Sequence, residues 1–203
     1  CGTWVTTPDL EENQGEASVV KVCTDVCNRT NKTTEYKLVT EVIDKAGKVV
    51  ASVSHKEKIG ANTTTQFVQH TQSVKGPVLW SPENPVLYKV VSSLYQGKKM
   101  IDREETSFGF RWMEWTADKG FFLNGEHRFL RGANVHQDHA GWGDAVTESG
   151  MKRDVRMMKE AGFDFIRGSH YPHAPAFSRA CDEEGMLFWS EAPFWGIGGF
   201  RPD

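Results

Sequence analysis

The sequence predicts a β-sandwich of immunoglobulin type followed by an α/β segment with parallel strands. Two observations predict it. From Val20 to about Arg111 the apolar residues alternate with period two. Beyond Met113, short apolar runs alternate with amphipathic helical stretches that end in glycine. The size agrees, since 203 residues suit one large domain or two modest ones. A hydrophobic content of 38% with 25% charged residues is that of a folded, globular chain.

In the first half, Val20, Val22, Thr24 and Val26 point one way, and Lys21, Cys23, Asp25 and Cys27 the other. That is the pattern of a half-buried antiparallel strand. Similar runs follow at 35–44, 48–58, 64–74, 86–95 and 98–107, separated by turn residues such as Lys45-Ala46-Gly47 and Gln96-Gly97. Regular short strands without helical periods between them indicate the sandwich. The Cys…Trp…Cys pattern of antibody domains is absent, so only the architecture carries over. His55 and His70 stand isolated in alternating strands and are read as surface or packing residues. The Asn-x-Thr triplets at Asn28, Asn31 and Asn62 are read as turn chemistry rather than glycosylation sites. Cys1, Cys23, Cys27 and Cys181 form neither a disulfide framework nor a zinc spacing. Cys23 and Cys27 would lie roughly 13 Å apart along one strand, too far to bridge. All are read as small thiols.

The second half opens with a hairpin at Phe121–Glu126, where Asn124-Gly125 is a strong turn signal. A buried strand is predicted over Arg128–Val135 and a helix over Ser149–Ala161. Met151, Val155 and Met158 give that helix one apolar face, and Gly162 closes it. A second buried strand is expected at Phe163–Arg167, a second helix at Pro175–Glu184 closed by Gly185, and a third strand at Met186–Trp189. Strand and helix in alternation mean a parallel sheet, too short here to close an eight-stranded barrel.

Charge and hydropathy exclude other classes. The net charge of −3, with no Lys/Arg stripe, gives no reason to expect nucleic acid. No run of 18 apolar residues exists, so no membrane-spanning helix is predicted. No signal peptide is read at Cys1-Gly2-Thr3-Trp4-Val5, and cellular location is not legible, a periplasmic or secreted parent being slightly favoured.

In parallel sheets chemistry collects beyond the C-terminal strand ends. The first end carries Asn134, His136, Asp138 and His139; the second Arg167, Ser169, His170, Tyr171 and His173; the third Glu191 and Trp195. Three chemistries could use this cluster. Metal binding could draw on His136, Asp138, His139 and His170, but no recognised ligand spacing is present. Ser169 beside His170 could be a nucleophile, but the Gly-x-Ser-x-Gly elbow is missing. Recognition of a polyhydroxylated ligand by His, Asn, Asp, Arg and Tyr, with tryptophan stacking, fits the composition best.

The residues also carry a resemblance. Leu79-Trp80-Ser81-Pro82-Glu83-Asn84-Pro85-Val86-Leu87-Tyr88, Phe108-Gly109-Phe110-Arg111, and Leu130-Arg131-Gly132-Ala133-Asn134-Val135-His136 look like glycoside hydrolase family 2. So does the stretch from Met158 through Ile166-Arg167-Gly168-Ser169-His170-Tyr171-Pro172 to Gly185. That family contains β-galactosidases, β-glucuronidases and β-mannosidases. The resemblance implies an immunoglobulin-like sandwich over 1–111, and over 112–203 about three β/α units of an incomplete (β/α)8 barrel of TIM type. It implies a retaining mechanism with two glutamates about 5–5.5 Å apart. By resemblance these follow the fourth and seventh barrel strands, neither of which is in this chain, so the chain alone is expected to be inactive.

What the resemblance carries over is a supporting shell. Arg167 matches an arginine that orients the nucleophilic carboxylate. His136 and His170 match histidines that bond sugar hydroxyls, with Asn134, Asp138, Tyr171 and Glu191 beside them at the same mouth. The implied partner is a β-linked oligosaccharide or glycoconjugate substrate, a β-galactoside first. No cofactor is implied: the Glu-x-His that supplies magnesium in some β-galactosidases is not matched at Ala192-Pro193-Phe194-Trp195-Gly196. Two departures stand out, Gly168 where the family usually has a small side chain and Asp164 in place of its usual Asn. An incomplete barrel leaves an open edge, which predicts self-association, strand swapping or partial disorder. The rival reading is a non-enzymatic carbohydrate-binding or structural interaction module.

Overall fold

The computed structural model describes residues 2–193. The chain forms two compact units. One comprises Cys1–Trp80, Val86–Ala117 and Phe122–Glu126; the other comprises Ser81–Pro85, Asp118–Phe121 and His127–Asp203. Ser81–Pro85, although inside the first half of the sequence, thus belongs with the second unit. Glu83 there takes a two-pronged salt bridge from Arg128 at 2.7 and 2.9 Å, and the Pro82 carbonyl accepts from Lys159 Nζ at 2.8 Å.

The first unit is built from β1 (Thr3–Thr6), β2 (Ala17–Ser18), β3 (Lys21–Asn28), β4 (Thr34–Ile43), β5 (Val49–Ile59), β6 (Thr63–His70), β7 (Val74–Lys75), β8 (Tyr88–Gln96) and β9 (Lys99–Phe108). The period-two alternation puts one face of each strand inside. Along β3, Val22, Thr24, Val26 and Asn28 are buried while their neighbours are half-exposed. The strands form a sheet in the order β1-β3-β6, a second in the order β5-β4-β8-β9, and a small β2-β7 pair. This is the expected sandwich.

Its core is not continuous. Val20, Val22, Val42, Tyr88, Val90 and Phe110 make one apolar cluster, and Val26, Tyr36, Leu38, Ile59 and Phe67 another. Between them lie the buried polar residues Thr24, Thr40, Gln69 and Ser92. Thr40 donates to Gln69 Oε1 at 2.7 Å, and Gln69 Nε2 donates to the Leu38 carbonyl at 3.2 Å, so the largest of these groups is satisfied. Asn28, only 1% exposed, ties together the carbonyls of Lys32, Ile59 and Gly60, which makes it a turn organiser. One expectation fails: Cys27 is disulfide-bonded, whereas Cys23 and Cys181 are in no disulfide. The spacing argument excluded only a bond to Cys23, and a partner distant in sequence leaves no trace in local spacing.

A three-stranded meander follows, with β10 (Met113–Thr116), β11 (Gly120–Leu123) and β12 (Glu126–Arg128) in sequential order. Asn124 and Gly125 both have positive φ, 54° and 79°, as a tight hairpin turn requires.

The second unit contains β13 (Gly132–Val135), α1 (Glu148–Glu160), β14 (Phe165–Gly168), α2 (Pro175–Glu184) and β15 (Leu187–Ser190). The three strands lie in sequential parallel order, as β/α alternation demands. The single strand expected over 128–135 is broken. Arg131 donates its amide to Asp164 Oδ1 at 2.7 Å and accepts the amides of Asp164 and Phe165, which redirects the chain before β13. β13 is also not buried as predicted, since Gly132 and Asn134 are exposed.

Helix α1 starts with Thr147, whose hydroxyl accepts the Gly150 amide at 3.2 Å, and Gly162 follows its end at φ 86°. Helix α2 occupies the predicted residues, with Pro at its start and left-handed Gly185 at its end. Their inner faces meet β14 in a core of Met151, Val155, Ile166, Phe177, Ala180, Cys181 and Met186. Burying Val155 or Ile166 completely stabilises this unit by about 1.5–3 kcal/mol each. Lys152–Glu183 and Arg156–Glu184 pairs bridge the helices at the surface and contribute about 1 kcal/mol or less each.

Candidate active site

Parallel pairing in register sets the site. Asn134 on β13 lies opposite Arg167 on β14, which lies opposite Trp189 on β15. The residues just beyond these positions therefore emerge together at one mouth. At its centre Arg167 Nε donates to Glu191 Oε1 at 2.6 Å. His170 Nδ1 stands 3.2 Å from Arg167 Nη2 and 3.3 Å from Glu191 Oε2. That nitrogen serves one partner at a time. Protonated, it donates to Glu191; unprotonated, it accepts from Arg167.

The electrostatics follow from the contacts. The Arg167 hydrogen bond holds the Glu191 carboxyl below the usual carboxylate range, and His170 adds to this. Glu191 is therefore ionised at neutral pH. Its charge orients a guanidinium that is planar and permanently positive. Among the described residues nothing takes up Arg167 Nη1, so that nitrogen is left for a further acceptor at the mouth.

The other face of the mouth is aromatic. The rings of His136 and His170 meet edge to face at 5.8 Å, and Tyr171 lies 6.1 Å from His136. The Tyr171 hydroxyl accepts the Gln137 amide at 3.0 Å, and Gln137 Oε1 accepts the Ala174 amide at 2.9 Å. These two bonds fasten the loop after β13 to the loop after β14. Gln137 was not singled out by its sequence, since nothing in its spacing marks a residue that ties two loops.

Of the sequence-predicted residues, Arg167, His170, Glu191, His136 and Tyr171 come together. Asn134 and Asp138 do not join them by any contact among the described residues; both are exposed at the strand end and in the following loop. Ser169 is 0% exposed and cannot serve as a surface nucleophile. His139 pairs with Asp154 of α1 at 2.5 Å. Among the described residues no group of His, Cys, Asp and Glu is arranged to hold a metal ion. Trp195 and the Phe194–Gly196 stretch lie outside the described residues.

The two departures have local accounts. Asp164 uses one carboxylate oxygen to accept the Arg131 amide at 2.7 Å, a bond that an asparagine carbonyl could equally make. A Cβ on Gly168 would meet the Phe188 ring at 2.7 Å and His173 Cδ2 at 2.9 Å. The space a side chain would need here is taken by aromatic rings.

The sequence matches the family description "Glycosyl hydrolases family 2" over residues 3–111, and that family's TIM barrel domain over 116–201. The chain belongs to glycoside hydrolase family 2. A β-glucuronidase of Bacteroides fragilis is 36% identical over 89% of this chain and 26% of its own length. A β-galactosidase of Bacteroides ovatus is 31% identical over 94% of this chain and 22% of its own. The crystal structure of a Bacteroides uniformis β-glucuronidase superposes with a TM-score of 0.91 at 33% identity, over 99% of this chain and 24% of that one. The chain thus spans about a quarter of the length of these family members.

Proposed function

We propose that this chain is a segment of a retaining β-glycosidase, and that it supplies the shell on which two glutamates from the rest of the parent act. The observation that carries this is the Arg167–Glu191–His170 cluster with His136 and Tyr171 beside it at the ends of parallel strands. In this reading the free N–H groups of Arg167 receive the nucleophilic carboxylate and hold it ionised. His136 and His170 bond sugar hydroxyls, contacts that tighten as positive charge develops at the anomeric carbon. Asn134, Asp138 and Tyr171 flank the same sugar. One glutamate protonates the departing glycosidic oxygen while the other attacks carbon, and water then releases the sugar with retained configuration.

The substrate proposed first is a β-galactoside. A β-glucuronide is the second reading, favoured by similarity to the Bacteroides fragilis and Bacteroides uniformis β-glucuronidases. The division proposed for the parent is a sandwich over 1–111 and the opening of its catalytic barrel over 112–203.

The test is an assay of the 203-residue chain and of its full-length parent on nitrophenyl β-galactoside, β-glucuronide and β-mannoside. The parent is expected to turn over at least one of them with retention, read by NMR of the first sugar anomer released. The chain alone is expected to give no turnover above buffer. Turnover by the chain, inversion by the parent, or a parent inactive on all of them would overturn the reading.

A further inference from the structure

We propose that the open side of the sandwich holds a second binding site, a cleft between β3 and the β8–β9 pair that takes one neutral, polyhydroxylated ring of hexose size. The cleft lies within the first unit and shares no residue with the mouth, so it stands apart from the glycosidase reading.

The polar layer of the sandwich core leads to it. Pairing in register puts Thr40, Ser92 and Glu104 side by side across β4, β8 and β9, and Thr3 beside Thr24 across β1 and β3. Residues paired in this way present their side chains to the same face of a sheet. The inner end of the layer is closed, since Thr40 donates to Gln69. The edge is bridged, since the Thr3 hydroxyl donates to Glu104 Oε2 at 3.2 Å. Between these two ties stand Thr24 and Ser92. They are 6% and 5% exposed, and among the described residues neither hydroxyl has a hydrogen-bond partner. A buried hydroxyl that gives up water without a replacement destabilises the fold, so two such groups on one cavity call for an occupant.

Both hydroxyls line the same cleft, whose volume is about 280 Å³. At about 30 Å³ per molecule, that is room for several waters or for one ring-sized guest. Leu38 and Leu94 supply an apolar wall, and Asp102 and Glu104 bring carboxylates from β9. Asp102 lies opposite Leu94 and Glu104 opposite Ser92, so both acids share the inner face with the groups they flank. Arg29 adds a guanidinium at the same cleft, whereas Arg103 is paired with Glu105. This lining narrows the occupant. A wholly apolar guest would leave Thr24 and Ser92 unsatisfied, and an anion would meet the charges of Asp102 and Glu104. Among the described residues no group is arranged to hold a metal ion. A neutral sugar ring meets every wall. Its hydroxyls donate to the carboxylates, exchange bonds with Thr24 and Ser92 and accept from Arg29, while its C–H face packs on the leucines.

The test is an NMR titration of the 203-residue chain with galactose and glucose, and with glucuronate as an anionic ring of similar size. The neutral hexoses are expected to bind in the millimolar range, with amide shifts centred on Thr24, Ser92, Leu94 and Glu104, and glucuronate to bind more weakly. Thr24→Val and Ser92→Ala each remove a hydroxyl that has no partner in the protein. Both variants should keep or raise the urea midpoint, and each should weaken hexose binding about three- to tenfold, the scale of one lost hydrogen bond. No shift up to roughly 100 mM hexose, which would mean that the cleft holds water alone, would overturn the site. So would shifts confined to His136, Arg167, His170 and Tyr171 at the mouth, unaltered affinity in both variants, or glucuronate binding as tightly as the neutral rings.

Discussion

At Gly168 the backbone runs so close to Phe188 and His173 that a methyl group has nowhere to go. Gly168→Ala is expected to destabilise the second unit by about 1–3 kcal/mol through overpacking. Urea denaturation of the chain checks this, and the double change with Phe188→Leu should restore at least half of the loss. An unchanged midpoint for the single variant would refute the packing account. Arg167 and His170 were legible from their motif, because they sit next to a recognisable strand end. Their bond to Glu191 was not, since that partner is 24 residues from Arg167 and comes into reach only through parallel pairing.

Among the elements, α1 shows what local chemistry can and cannot place. Its apolar face and its closing glycine are readable, and the sequence predicts its start at about Ser149, whereas the helix begins at Glu148 behind Thr147. Thr147 and Ser149 are both capping residue types, and their hydroxyls lie 3.0 Å apart. Only the Thr147 hydroxyl reaches the Gly150 amide. Thr147→Ala is expected to cost about 1 kcal/mol, within the usual range for a lost N-cap. Ser149→Ala should cost clearly less. Thermal or urea unfolding of the two variants decides the matter, and a larger effect at Ser149 would place the cap there instead. The strand before it failed for a related reason. Residues 128–135 are expected as one buried strand, yet the bonds between Arg131 and Asp164 and Phe165 end that continuity before β13.

For the molecule as a whole, His173 makes stability depend on pH. It is 8% exposed among Tyr171, Phe177 and Phe188, and both ring nitrogens lack a hydrogen-bond partner among the described residues. Burial pushes its pKa down, and a backbone group of Ser169 opposes this only in part. The folded state therefore holds the neutral ring while the unfolded chain takes up a proton below about pH 6.5. Stability is full above that value and falls as pH drops toward the lowered folded pKa. Urea unfolding between pH 7.5 and 5 should show this loss in the wild-type chain and a shallower one in His173→Phe; identical slopes would rule it out. The alternation of the first half and the strand–helix order of the second are local properties of the residues, and they sufficed for both architectures, since backbone geometry converts period directly into burial. The tertiary structure alone decided which polar groups meet. The disulfide at Cys27, the polar layer dividing the sandwich core, the tie through Gln137 and the Arg167–Glu191 pair all join residues distant along the chain. Such partners are chosen by strand pairing and packing, which no local period encodes.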